Sequence, residues 1–188
     1  MVMGLSNFLL RLSYKYLFRS FRDTYFFIND FKISEGNVLD IGGGPGNIYD
    51  IIETDRIYYI TLDIDFELLS YASNKVDKVL ASSNEKIFRD GVFDHIIIYE
   101  ALHHFTDPIM TLYRSYQYLS KCIHLVDFDV GKLGGLLFKW FHYMVLMKTI
   151  FYSLNDIIGF IHWLNPSLKL KIKWSNILNG MYYLRICK

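Results

Sequence analysis

The 188-residue sequence predicts a single α/β domain: an open three-layer α/β/α sheet, parallel except for its last strand. Three observations carry this expectation. Short apolar runs alternate with helix-like stretches between residues 37 and 129, the pattern of strand–helix–strand units. A glycine-rich turn, "IGGGPGN", follows the first of these runs. The chain then ends in "LKLKIKW" and "MYYLRIC", separated by an Asn179-Gly180 hairpin signal that turns the final strand antiparallel.

Each element has its own reason. Residues 1–30 begin "MVMGLSNFLLRLSYKYLFRSFRD", where Arg11, Lys15, Arg19 and Arg22 fall on one helical face beside Leu10, Tyr14, Leu17 and Phe21. Charge interspersed in this way describes an amphipathic helical cap and not a secretory signal. That helix either packs on the domain with a solvated basic face or lies on anionic lipid. Asn37–Ile41 and Arg56–Ile64 read as strands around a short helix at Asn47–Glu53. Phe66–Asn74 is helical by spacing, "KVLA" is a short strand, and Val92–Tyr99 is a continuous apolar strand buried on both faces. His95 within it reads as a core or sheet-face residue. Asp107 caps a helix that runs to Leu119, with Pro108 in its first turn. Lys121–Phe128 is the fifth strand. Residues 131–154 are the greasiest stretch, yet Lys139, His142 and Lys148 make it a poor membrane span. It reads as a helix covering the sheet edge or as the lining of an apolar pocket. Residues 155–188 supply a helix and the closing hairpin.

Composition narrows the function. The chain is 52% hydrophobic and 18% aromatic, with mean hydropathy +0.19 and net charge +1. No global charge draws it to nucleic acid, and it is too apolar to be disordered. Cys122 and Cys187 are too few for a disulfide framework and lack metal-ligand spacing, so they read as reduced core residues of a cytoplasmic protein.

The glycine loop is the first chemical signal. Gly42 and Gly44 fit the dinucleotide fingerprint, but Asn47 stands where its third glycine belongs. The alternate pattern of an acid followed by spaced glycines is complete in Asp40, Gly42, Gly44 and Gly46. An acid there would repel pyrophosphate and suits a cationic ligand. Asp63 ends the second predicted strand, where an acid binds ribose hydroxyls in nucleotide-binding βαβ units. Asp65 is the near alternative.

"VLDIGGGPGN", "YITLDID", "VFDHIIIYEALHHFTDP" and "IHLVDFD", in this order and spacing, resemble the class I S-adenosylmethionine-dependent methyltransferases. They are most similar to the small members of the ubiquinone and menaquinone methylase type. The resemblance spans residues 37–129, the expected cofactor-binding core, and implies a Rossmann-like, doubly wound seven-stranded sheet. It implies that Gly42, Gly43, Gly44 and Gly46 make room for S-adenosyl-L-methionine and that Asp40 orients it. Asp63 would bind both ribose hydroxyls and Ile64 would pack on adenine. Ser82 stands where the family often has an acid for the adenine amine, with Asn84 as a second partner. Tyr99 and Glu100 would lie beside the methyl donor.

The expected reaction is in-line methyl transfer, in which a base is needed only if the acceptor loses a proton. His103 or His104 is the candidate, with a structural or capping role as the alternative. His124, His142 and His162 show no ligand spacing, so no metal site is expected. The acceptor is expected to be a small apolar molecule, lipid-like or quinone-like, met through peripheral membrane contact. Two rivals remain: a non-catalytic cofactor-binding subunit and, disfavoured by Asn47, a dinucleotide oxidoreductase.

Overall fold

The computed structural model describes residues 27–52, 54–144, 149–174 and 180–188. The N-terminal amphipathic helix and Asn179 of the hairpin signal lie outside these residues. The strands are β1 (Gly36–Ile41), β2 (Ile57–Asp63), β3 (Asp77–Leu80), β4 (Phe93–Tyr99), β5 (Leu119–Phe128), β6 (Lys169–Trp174) and β7 (Met181–Cys187). They form one seven-stranded sheet in the order β3-β2-β1-β4-β5-β7-β6. β1 to β5 run parallel, while β7 is antiparallel to both β5 and β6. The chain winds outward from β1 through β2 to β3, then returns to place β4 on the other side of β1. The carboxyl ends of β1 and β4 therefore flank the point where winding reverses, which is where open α/β sheets bind ligands.

The helices are α1 (Tyr49–Ile52), α2 (Phe66–Ser70), α3 (Pro108–Tyr118), α4 (Leu133–Met144) and α5 (Leu154–Leu164). Asp107 caps α3 by accepting the Met110 N–H at 2.9 Å, with Pro108 in the first position. Ser153 and Asp156 form a reciprocal capping box on α5.

Continuous apolar strands fill both faces because successive side chains point opposite ways. Leu39, Ile96, Ile98 and Leu125 join one core with Leu112 of α3 and Ile157 and Ile161 of α5. Val38, Ile97 and Val126 join the other, with Phe31, Ile48, Tyr59 and Tyr183. His95 lies in the sheet face as expected, bonded to His124 at 3.1 Å, which in turn meets the Tyr183 hydroxyl at 2.9 Å. Burial lowers the pKa of both imidazoles.

β6 is an edge strand, and its apolar face is covered only in part. Leu170 and Trp174 are half-buried, and Ile172 is exposed. Lys169 and Lys171 face solvent, while Lys173 pairs with Asp30. One expectation is corrected. Cys122 and Cys187 are joined in a disulfide, because β5 and β7 set them directly opposite each other. Their separation of 65 residues hides that register in the sequence. No helix among the described residues is long and apolar enough to cross a membrane.

Candidate active site

β1 delivers Asp40 into the core, only 1% exposed, where it accepts a hydrogen bond from the Tyr59 hydroxyl at 2.7 Å. Burial pushes its carboxyl up to about 7, with the Tyr59 bond opposing and the Asp63 charge adding to the rise. The loop above leaves no space for a side chain at Gly43. A Cβ on Gly43 would stand 2.3 Å from Asp40 Oδ2 and 2.7 Å from Thr61 Oγ1. Gly44 adopts φ +48° and directs its N–H to Asp63 Oδ2 at 2.9 Å.

Asp63 closes β2. Its other carboxylate oxygen, Oδ1, accepts the Asp65 N–H at 2.9 Å. Burial raises its pKa, while the Asp65, Gly44 and Ile64 N–H groups pull the other way. These donors do not exhaust the carboxylate, which has about four lone-pair sites. Asp65 is differently engaged: its Oδ1 caps α2 through the Glu67 and Leu68 N–H groups at 2.9 and 3.2 Å.

A cavity of about 250 Å³ opens at these strand ends. Of the residues expected at a cofactor site, Gly42, Gly44, Asp63, Ile64 and Ser82 line it. Asp40, Gly43, Gly46 and Tyr99 lie outside the lining, with Asp40 and Gly43 forming the layer beneath the loop. Asn84 is also outside: its amide donates to Thr106 Oγ1 and its carbonyl accepts from Thr111 Oγ1, both at 2.9 Å. Ser83 and Glu100 join Ser82 in the lining. Glu100 holds φ +50°, a left-handed conformation that costs a non-glycine residue about 1–3 kcal/mol. Its N–H is anchored on the Val126 carbonyl at 2.8 Å. Burial, reinforced by the nearby Asp127 charge, pushes the Glu100 carboxyl up to about 7.

The far end of the cavity reaches His104 and Phe105. His103, beside them, is 3% exposed and lies behind the lining. Its Nδ1 meets Asp127 Oδ1 at 2.6 Å and its backbone N–H donates to Asp127 Oδ2 at 3.1 Å. Its ring stacks on Phe151, with centroids 4.9 Å apart. His142 reaches the same place from α4, buried, with its Nδ1 on the Phe138 carbonyl at 3.1 Å. Neighbouring protein atoms, with His103 and His142 adding, lower the His104 imidazole below its ordinary value, although the side chain is exposed to the cavity.

His142 and Asp127 were not predicted as part of the site. Spacing along the chain argued against metal ligands, but α4 folds back and brings His142 to His103 and His104. One signal was available for Asp127: it ends the buried run of β5 at the same carboxyl edge as Asp63 and Glu100.

Comparison with known proteins gives the family and the fold. The family described as "Methyltransferase domain" matches residues 14–158, well over half of the chain. No curated protein matches the sequence. Among solved structures, a SAM-dependent methyltransferase from Thermotoga maritima is similar over all of both chains, with TM-score 0.76 and 16% identity. A SAM-dependent methyltransferase from Archaeoglobus fulgidus is similar over 96% of this chain and 99% of its own, with TM-score 0.71 and 18% identity. At these identities the structures establish a shared fold, while the family match covers the loop, both strand-end acids and the histidine pair. The chain therefore belongs to the methyltransferase-domain family, and its cofactor is S-adenosyl-L-methionine.

Proposed function

We propose that this chain methylates a small apolar acceptor, met at a membrane surface beside α4. The observation that carries the reading is the two-ended cavity. Acids and glycine backbone stand at one end, and His104 and Phe105 at the other, next to α4. That helix exposes Leu136, Leu137, Trp140, Phe141, Tyr143 and Met144, an apolar surface for which a water-soluble acceptor gives no reason.

The residues at the first end suit the cofactor, which carries a positive charge, a ribose diol and an adenine ring. Asp63, held by the Gly44, Asp65 and Ile64 backbone donors, has acceptor capacity left for the ribose diol. Ile64, 75% exposed at the rim, offers an apolar surface to adenine, and Ser82 a polar contact. Glu100 balances the positive charge. Gly42 and Gly44 let the ligand approach the backbone. Asp40, Gly43, Gly46 and Tyr99 act from outside the lining, by fixing the loop and the strand end.

When bound, the cofactor supplies an electrophile already activated as a sulfonium. The chain's own work is to align the acceptor and exclude water. Of the histidine pair, His104 is the one facing the cavity. Its exposed ring is placed to meet the polar atom of an acceptor.

The test is methyl release from labelled cofactor, with apolar phenols and quinols presented in vesicles containing anionic lipid. Turnover that needs both vesicle and acceptor supports the reading. Tight cofactor binding without turnover on any acceptor would favour the second reading, a non-catalytic subunit whose α4 surface is a protein interface. The exposed face of α4 fits that reading as well.

A further inference from the structure

The cluster at the inner end of the cavity has properties that cofactor binding does not require. His103, His104 and His142 each place one ring nitrogen within 4.8 Å of the other two. His103 and His142 are buried, while His104 is exposed toward the cavity, so the three rings join the protein interior to the open space beside it.

The hydrogen bonds decide which nitrogens are offered. His103 gives Nδ1–H to the Asp127 carboxylate, so its lone pair sits on Nε2. That Nε2 is buried and has no hydrogen-bond partner in the protein. His142 gives Nδ1–H to the Phe138 carbonyl, which leaves its lone pair on Nε2 as well. A carboxylate or carbonyl behind a ligating imidazole is the usual arrangement around protein-bound zinc, since it fixes the tautomer and raises the basicity of the ligand. Phe128, Phe138 and Phe151 surround His103 and complete a dry wall.

We infer that His103 Nε2, His142 Nε2 and one ring nitrogen of His104 bind a divalent transition-metal ion, with zinc as the best match. Three neutral imidazoles suit that ion, and Zn–N bonds are about 2.0–2.1 Å. A tetrahedral ion at those bond lengths needs its ligand atoms roughly 3.3 Å apart, so binding must draw the three nitrogens closer than they stand here. Three protein ligands leave the fourth position of a tetrahedral site free for water or substrate, as in catalytic zinc sites. His104 lines the cavity, so that position is on the acceptor side. In this one respect the inference rests on the methyl-transfer reading: an acceptor oxygen or nitrogen bound there would be oriented, and its proton made more acidic.

The experiment titrates metal-stripped full-length protein with Zn²⁺ and Co²⁺, following bound metal by elemental analysis and cobalt geometry by visible absorption. The expected result is one ion per chain and the intense spectrum of tetrahedral cobalt. His104→Ala and His142→Ala are each expected to weaken zinc binding at least tenfold, while His162→Ala, on the exposed side of α5, leaves it unchanged. His103→Ala removes a buried ring and is read only alongside circular dichroism. The inference is overturned if the wild-type chain binds no stoichiometric ion. It is also overturned if His104→Ala and His142→Ala bind as tightly as wild type. A parallel titration with S-adenosylhomocysteine keeps the two readings apart. Cofactor binding without metal sinks this inference alone, and metal without cofactor sinks the acceptor role and the methyl-transfer reading.

Discussion

The two ends of the cavity are built on different principles. The cofactor end is made of backbone and short acids tied to the sheet: Gly44 N–H to Asp63, Asp65 N–H to Asp63, Tyr59 to Asp40. The end next to α4 is made of rings: His104 and Phe105 line it, and His103, His142, Phe138 and Phe151 pack behind them in tilted, edge-to-face and stacked pairs. A ligand with fixed polar groups needs donors and acceptors placed by strands. An apolar acceptor needs shape and dryness, which side chains from an added helix can supply. The first end should therefore respond sharply to single atoms, and the second to loss of surface.

The largest expected effect tests the rigid end. Gly43→Ala forces a methyl group against Asp40 and Thr61, both buried, and should destabilise the fold by about 2–3 kcal/mol through overpacking. Urea denaturation measures it, and an unchanged midpoint would show that the loop is softer than its contacts imply. Next, Asp63→Ala should weaken cofactor binding more than tenfold, about 1.4 kcal/mol. Calorimetric titration reads this directly, and unaltered affinity would shift the ribose role to Asp65.

A third prediction separates the ends by pH. Glu100 and Asp40 have folded-state pKa values of about 7, above their ordinary 4.5 and 3.8. An acid with a raised folded pKa holds its proton in the native state. The ligand-free chain should thus lose stability as pH rises from about 4 to about 7 and stay lower above that. A cationic cofactor favours the charged carboxylate, so its affinity should rise several-fold through the same range, with proton release. Glu100→Gln should flatten the rise; a wild-type affinity that is flat across pH 7 would remove Glu100 from the cofactor's surroundings.

The smallest effect belongs to the outer face of α4. Trp140→Ser with Phe141→Ser should change stability by no more than about 0.5 kcal/mol per site, because both side chains are exposed. The same pair should lower vesicle binding severalfold in a flotation assay. Equal flotation of variant and wild type would mean that α4 is not the surface that meets lipid.

Most of the sheet was legible because its cues are local. The buried run at Phe93–Tyr99, the cap at Asp107 and the lysine alternation of the edge strand each specify an element within a few residues. The glycine loop and Asp63 were legible for a similar reason, since a βαβ unit puts one strand end beside the next. Asp127, His142 and the Cys122–Cys187 pairing were not, because each depends on register or packing between segments far apart in the chain.

The amino-acid sequence by itself determined the α/β class, the antiparallel closing strand and the placing of the glycine loop and Asp63 at one strand-end cavity. These follow from periodicity and turn chemistry, which act over neighbouring residues. Only the tertiary structure decided that Asp40 supports the loop from beneath instead of lining the cavity. It alone placed Glu100 in a left-handed turn at the cavity wall and brought a histidine from α4 against the pair after β4. Those outcomes depend on burial and on contacts between distant segments, quantities that exist only once the chain has closed on itself.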